Sequence, residues 1–363
     1  MVAKAVIYVV VILVAVAALS GGFVAGYEYR GSPAANPSAT VSSTLTVLGA
    51  GTLDTLFPEL ANELANESPG ISVPAAAQTY EGSIDITTAI TSTGALADVA
   101  AVADYRLVPP LLEPKYASYE VVFGTTPEVL AYNASIPAFS GINSTNWGQK
   151  LIGAVSSSGK PLGIWNASTD PNGYNEIFSM ELQGMLYNGS TSTVYSQFYT
   201  GGPTQVAVGN PTTTKIEHES MGASLVSTGV VSAVITYRSY AVVNHMSFVS
   251  FNPIVGLAAN NSTALADYAK ISTMITTSTG GTQAVVAAPV LFSITVPLNA
   301  PNPTLGAAFL HLLLSPQGAA ILSQGGAFTP IFPGWSDHPG AVPSVLAPDV
   351  VGLPTWAASI LAG

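Results

Sequence analysis

The chain has no cysteine. That absence removes disulfides, thiolate metal sites, cysteine nucleophiles and a lipidated N-terminal cysteine together. Cations are scarce as well. Lys and Arg number 9 among 363 residues against 20 Asp and Glu, for a formal charge of −11. Phosphate-backbone binding needs clustered cations, so nucleic acid is a poor partner for this surface. Histidine occurs 4 times. No H-E-x-x-H pair, G-x-S-x-G elbow or phosphate-cradling glycine loop with lysine is present, and the chain is read as a non-enzyme. Charged residues of either sign make up only 8%, so Ser, Thr, Asn and Gln do the solubilising. Such a surface changes its charge little in acid and suits an acidic exterior.

What is abundant is apolar: 48% of the residues, enough to fill the core of two domains or one large one. Residues 5–27, "AVIYVVVILVAVAALSGGFVAGY", carry no charge over 23 positions, long enough to cross a bilayer as a helix. Lys4 precedes the run and favours an inside N-terminus. Residues 1–27 are therefore expected to form a membrane anchor. A cleaved signal peptide is the competing reading, because Ala18, Ser20 and Gly21 are small. Either way the rest of the chain is exported. Residues 28–44, rich in Ser, Pro, Ala and Thr, read as a linker. Sequons at Asn66, Asn133, Asn143, Asn166, Asn188, Asn260 and Asn261 agree with an outside location.

From residue 45 strands and helices alternate. "LTVLGAG" (45–51) reads as a strand ending in a glycine turn, followed by a helix with Leu53, Leu56, Phe57, Leu60 and Leu64 on one face, its regular part starting near Asp54 or Thr55 because of Pro58. A strand is expected over 71–77. A helix follows over 81–94, with Ser83 as N-cap and Gly94 as stop, and another strand over 97–103. A second block repeats the theme: strands at 127–133 and 161–168, a helix over 172–187 with Phe178, Leu182, Met185 and Leu186 on one side, a helix over 217–228, and a strand over 230–237. A long strand at 288–299 and helices within 303–326 complete the pattern. Such succession predicts mainly parallel sheets covered by helices, an α/β chain in two lobes.

In "IWNASTDPNGYNEIF" a carboxylate, Asp170, stands at the mouth of a helix, just before Pro171. On its own this is an ordinary N-cap. The ordered set "GAGTLDTLFPEL", "EGSIDITTAI", "LADVAAVADYRLVPP", "DPNGYNEIFSMELQGMLY", "GVVSAVITYRSYAV" and "VLFSITVPLNAPNPTLGAAFLHLLL" resembles the archaeal-type molybdate/tungstate-binding proteins, the extracytoplasmic receptors of an ABC importer. The likeness spans about residues 45–333. It implies a two-lobed periplasmic-binding-protein-like (type II) fold, with lobe 1 near 45–130 and 285–363 and lobe 2 near 131–284. It also implies an oxyanion in the cleft, an ABC permease as membrane partner, a monomer, and no resident cofactor. Carried over residue by residue, the ligand-binding set is Thr52, Ser83, Asp170, Glu219 and Tyr237, with the carboxylates of Asp170 and Glu219 reaching the molybdenum or tungsten atom. The family's "DPCGYR" reads "DPNGYN" here, so Asn172 and Asn175 replace a cysteine and an arginine.

The chemistry behind that set is testable. A carboxylate beside an oxyanion meets repulsion on the order of several kcal/mol at intermediate dielectric. Sulfur in sulfate offers no compensating bond, whereas molybdenum(VI) and tungsten(VI) accept hard oxygen ligands. Two carboxylates would thus reject sulfate and phosphate, and helix N-termini would hold the oxo groups without Lys or Arg. Other readings remain beside it at this point: a receptor for a different oxyanion, for ferric ion or for a sugar, and a surface glycoprotein that keeps the fold without binding. His218, flanked by Glu217 and Glu219, resembles a metal cluster, but neighbours in a helix point apart. His245, His311 and His338 stand isolated in the sequence and receive no role.

Overall fold

The computed structural model describes residues 43–277 and 280–362. The expected anchor and nearly all of the linker lie outside them. Ser43 and Thr44, the last two linker residues, form a short strand paired with Ile71–Ser72. Among the described residues, no single helix is long and apolar enough to cross a membrane.

Two sheets organise two lobes. The first has seven strands in the order Val350–Gly352, Thr329–Ser336, Val121–Thr125, Phe292–Thr295, Val99–Val102, Val47–Ala50, Gln78–Glu81. Val47–Ala50 runs parallel to both of its neighbours, but Phe292–Thr295 is antiparallel to both of its own and Glu128–Tyr132 to both of its own, so the sheets are mixed and not mainly parallel as expected. Helix Leu56–Glu67 covers this sheet because Leu56, Phe57, Leu60, Ala61 and Leu64 recur at helical spacing and are all buried. Phe57 meets Phe123 and Phe309 at ring separations of 5.9 and 5.3 Å, the centre of the first-lobe core. The second sheet has five strands: Thr213–Ile216, Leu162–Trp165, Ala233–Tyr237, Glu128–Tyr132, Phe248–Ser250. The chain passes from one sheet to the other between Thr125 and Glu128.

Several elements differ from expectation for identifiable reasons. The strand expected at 71–77 stops at Ser72, since Pro74 has no N–H to donate, and the true sheet strand is the polar Gln78–Glu81. That strand lies at the sheet edge and alternates half-buried with exposed residues, so it carries little apolar signal. The long strand at 288–299 contracts to Phe292–Thr295 between Pro289 and Pro297. The helix at 217–228 is a 3-10 turn, Glu219–Met221, running into a helix over Gly222–Ser227. A third sheet, Thr282–Val286, Ser272–Thr276, Gln205–Gly209 and Tyr199–Gly202, has no counterpart in the sequence reading. It changes the environment of helix Pro171–Tyr187. This helix is buried at every position from Pro171 to Gly184 instead of on one side, while Leu186, expected inside, is exposed.

Candidate functional site

Loops at the carboxyl ends of parallel strands meet between the lobes. Val47–Ala50 and Gln78–Glu81 are in register, with Ala50 opposite Glu81, so Gly51 and Gly82 leave the first sheet side by side. Across the cleft, Trp165 pairs with Ile216 in parallel strands that lead into Asp170 and Glu219. The carboxyl ends of parallel strands are where α/β sheets place ligands.

The lobes touch closely here. A Cβ on Gly51 would overlap the Glu219 carboxylate, and one on Gly82 would overlap the Thr169 carbonyl. Ile84 N–H donates to Thr169 O across the gap at 2.9 Å. Between the lobes remains a cavity of about 110 Å³ lined by Gly51, Gly82, Asp170 and Glu219, with Asp54 and Asp85 at its side. None of its lining residues is Lys or Arg; His218 is the one basic side chain.

Of the five residues expected to bind, Asp170 and Glu219 line this cavity, and Thr52, Ser83 and Tyr237 do not. Asp170 caps helix Pro171–Tyr187, its Oδ1 accepting from Asn172 N–H at 2.9 Å. Glu219 Oε1 is buried without a hydrogen-bond partner. Thr52 is buried in the turn after Gly51 and its hydroxyl meets Ser239 Oγ at 3.1 Å. Ser83 does not cap its helix. Gly82 holds that position, and Ser83 Oγ instead accepts from Ala103 N–H at 2.9 Å. Tyr237, fully enclosed, takes a hydrogen bond from Asn175 Nδ2 at 3.2 Å. His218 is exposed and precedes the turn containing Glu219, so it lies outside a helix altogether.

Burial without a cation sets the electrostatics. Desolvation raises the Asp170 carboxyl to about 6, with the Asp85 charge adding to it against the Asn172 hydrogen bond. Glu219 is pushed well above the ordinary range by burial first, then by the charge of Asp170. Burial likewise lifts Glu128, with Glu176 and Asp170 as neighbours. Glu128 was not singled out in the sequence. Its only signal there is one acid inside the apolar run "PEVLAYN". With its amide oriented to satisfy its surroundings, Asn172 donates to both Glu128 oxygens at 3.3 Å and accepts from Trp165 Nε1 at 3.1 Å. The asparagine in place of the family's cysteine thus ties the Asp170 turn to the crossing strand. Gly51, Gly82 and Ser239 were also missed, although a glycine precedes the hydroxyl residue in both "GT" and "GS".

A larger cavity, about 1050 Å³, lies beside the first and is lined mainly by apolar groups, including Leu111, Tyr268, Ile275 and Ile360. Its charges are already paired. Asp104 accepts from Arg106 Nη2 at 2.7 Å and from Tyr174 OH at 2.6 Å.

Two α/β lobes joined by crossing strands, with a polar cavity at the facing strand ends, define a two-lobed, periplasmic-binding-protein-like fold. The family described as bacterial extracellular solute-binding protein matches residues 45–327, and the chain belongs to that family. A solute-binding protein of Methanoculleus marisnigri is 29% identical over 83% of this chain and 86% of its own length. The molybdate/tungstate-binding protein WtpA of Pyrococcus abyssi is 27% identical over 78% of this chain and 83% of its own. Among solved structures, the periplasmic molybdate-binding protein of Azotobacter vinelandii superposes with a TM-score of 0.53 at 13% identity, covering 78% of this chain and 97% of that one, a likeness of fold.

Proposed function

We propose that this receptor captures molybdate or tungstate between its lobes and delivers it to an ABC permease. The observation that carries the reading is the small interlobe cavity closed by Asp170 and Glu219, with Asp54, Glu81, Asp85 and Glu217 also in its lining and no Lys or Arg. Its volume, about 110 Å³, is far below the roughly 300–1,000 Å³ of organic-ligand pockets, which favours a compact ion over a sugar. Burial disfavours the charged acids, so in the free protein they hold protons or seek a positive centre. The electrophilic metal of the oxyanion answers that need, and sulfur in sulfate does not. The N-terminus of helix Pro171–Tyr187 and the amides near Gly51 and Gly82 would hold the oxo groups. Thr52 and Ser83 follow those glycines directly, with hydroxyls engaged by Ser239 and the Ala103 N–H, and Tyr237 is held by Asn175. In this reading residues 1–27 anchor a monomer on the outer face of the membrane, residues 28–42 tether it, and the lobes hinge near Thr125–Glu128.

Ferric ion, a hard cation held by carboxylates and phenolates, would have the acids alone, since burial raises Tyr237 and Tyr174 well above the usual phenol range and both hydroxyls already have partners. A second reading has its own observation: the 1050 Å³ apolar cavity suits an organic solute. Calorimetry separates the two. Tungstate and molybdate should bind at least 100-fold more tightly than sulfate or phosphate, and Asp170→Ala should weaken tungstate about 100-fold while folding is kept. Sulfate bound as tightly as tungstate sinks the coordination reading. Heat from a sugar with none from tungstate moves the function to the larger cavity.

A further inference from the structure

Away from both cavities, three side chains meet at the outer part of the seven-stranded sheet. Glu113 follows helix Val108–Leu112, and Asp337 and His338 follow strand Thr329–Ser336. None of the three lines either cavity. His338 Nδ1 is 3.0 Å from Asp337 Oδ2 and 3.4 Å from Glu113 Oε2. One donor atom from each residue lies within 4.8 Å of the others. His338, without a role in the sequence reading, is therefore not isolated.

Two further observations separate this group from an ordinary acidic patch. The carboxylates are buried, with side-chain exposures of 9% for Glu113 and 6% for Asp337, while the ring of His338 is 61% exposed. Their hydrogen bonding is also one-sided. Asp337 Oδ1 is held by Glu120 N–H at 3.0 Å and His338 N–H at 2.8 Å. Asp337 Oδ2 has the imidazole as its one nitrogen neighbour, the two carboxyl groups lie against each other, and Glu113 Oε1 is buried with no donor. Buried oxygens left in this state need a positive partner. Lys115 does not supply the charge, since its ammonium lies over the Tyr116 ring at 4.8 Å.

We propose that Glu113, Asp337 and His338 form a binding site for a divalent first-row transition-metal cation. Donor separations of 3.0 and 3.4 Å match the edges of a coordination shell with bonds of about 2.0–2.2 Å. Imidazole with two carboxylates suits zinc or manganese, whereas calcium and magnesium prefer oxygen throughout. The exposed ring gives the ion access and leaves the outward positions to water. The ion fastens the Glu113 loop to a segment more than 200 residues later, a staple in a chain that has no cysteine to make one.

The test is titration of the chelator-stripped protein with Zn²⁺, with Mn²⁺ and Ca²⁺ alongside. One Zn²⁺ should bind per chain, and Ca²⁺ should bind at least tenfold more weakly. His338→Ala and Glu113→Gln should each weaken Zn²⁺ at least tenfold and leave tungstate affinity unchanged. His311→Ala and His218→Ala should leave the Zn²⁺ affinity as it was. Zn²⁺ should raise the thermal midpoint of the parent and not of His338→Ala. Circular dichroism of the metal-free variants establishes that they fold, and Glu113→Gln keeps the side-chain shape should His338→Ala lose it. Absence of saturable Zn²⁺ binding, survival of that binding in both variants, or its loss in His218→Ala overturns the site.

Discussion

Asp104 and Asp170 are both buried between the same two lobes, and their carboxyl groups shift in opposite directions. Burial alone would raise both. At Asp104 the charge and hydrogen bonds of Arg106, with the Tyr174 hydroxyl, outweigh desolvation and hold the acid below its usual value. At Asp170 no cation is at hand, one backbone N–H is all it receives, and the acid rises to about 6. The first is a completed ion pair that joins helix Pro171–Tyr187 to the first lobe. The second has been withdrawn from water and left incomplete. A folded chain tolerates such a group where something else supplies the missing positive centre, and here Glu219 and Glu128 repeat the condition within the same small region.

The largest expected effect tests the completed half. Arg106→Ala removes the guanidinium that contacts Asp104 through Nε and Nη2 and donates to Val286 O at 2.7 Å. Stranding a buried carboxylate in this way costs about 3–5 kcal/mol, and the Tyr174 hydroxyl that remains puts the expectation near the lower figure. Chemical denaturation should show that loss at neutral pH, with tungstate affinity of the folded fraction unchanged. If affinity instead fell as far as in Asp170→Ala, the two acids would share one role and the contrast between them would fail.

The next effect concerns how closely the lobes approach. At Gly82 an added methyl meets a backbone carbonyl, that of Thr169, which cannot swing aside. At Gly51 it meets the end of the Glu219 side chain, which can. Gly82→Ala should therefore weaken tungstate roughly 10–50-fold, about 1.4–2.3 kcal/mol by the affinity relation. Gly51→Ala should weaken it by a similar factor for a different reason, because the carboxylate that swings aside is the one proposed to grip the cargo atom, and neither should shift the thermal midpoint of the free protein as far as Arg106→Ala. An unchanged tungstate affinity in Gly51→Ala would remove Glu219 from the site.

How much of this was legible follows from where each signal resides. Strand Val47–Ala50 and its helix carry their own periodicity, and Asp170 before Pro171 is a local helix-start signal, so both are visible in a linear reading. Strand Gln78–Glu81 is polar because it lies at a sheet edge, and Tyr199–Gly202 and Gln205–Gly209 are short and glycine-bearing, so neither the period nor the composition announces them. The all-round burial of helix Pro171–Tyr187 depends on that unannounced sheet. At the site, Gly51 and Gly82 owe their identity to atoms more than 80 residues away, and Glu128 owes its state to burial and to Glu176 and Asp170, distant in sequence. Those are facts of tertiary contact, which no window of sequence contains. The pairing of His338 with Glu113 is hidden for the same reason.

The smallest effect is a pH dependence, and its sign separates the two acids once more. Asp170 has a folded-state value of about 6 against an ordinary 3.8. Between those values the folded chain holds a proton that the unfolded chain has released, so stability falls as pH rises from about 4 to about 6 and stays lower above. Asp104 works in reverse. Its lowered value gives stability that is present above pH 3.8 and lost only as pH drops through the folded-state value beneath it. Free of cargo, the protein should thus melt higher at pH 5 than at pH 7.5, in keeping with a surface whose charge is low. Asp170→Asn keeps the acceptor for Asn172 N–H and deletes the ionisation. It should be more stable than the parent by roughly 1–2 kcal/mol at pH 7.5, with the gap closing by pH 4. Saturating tungstate should reverse the order at pH 7.5, since ligand linkage then stabilises the parent alone. A variant that melts with the parent at every pH, with and without tungstate, would show that Asp170 is as fully compensated as Asp104 and has no need of a cargo atom.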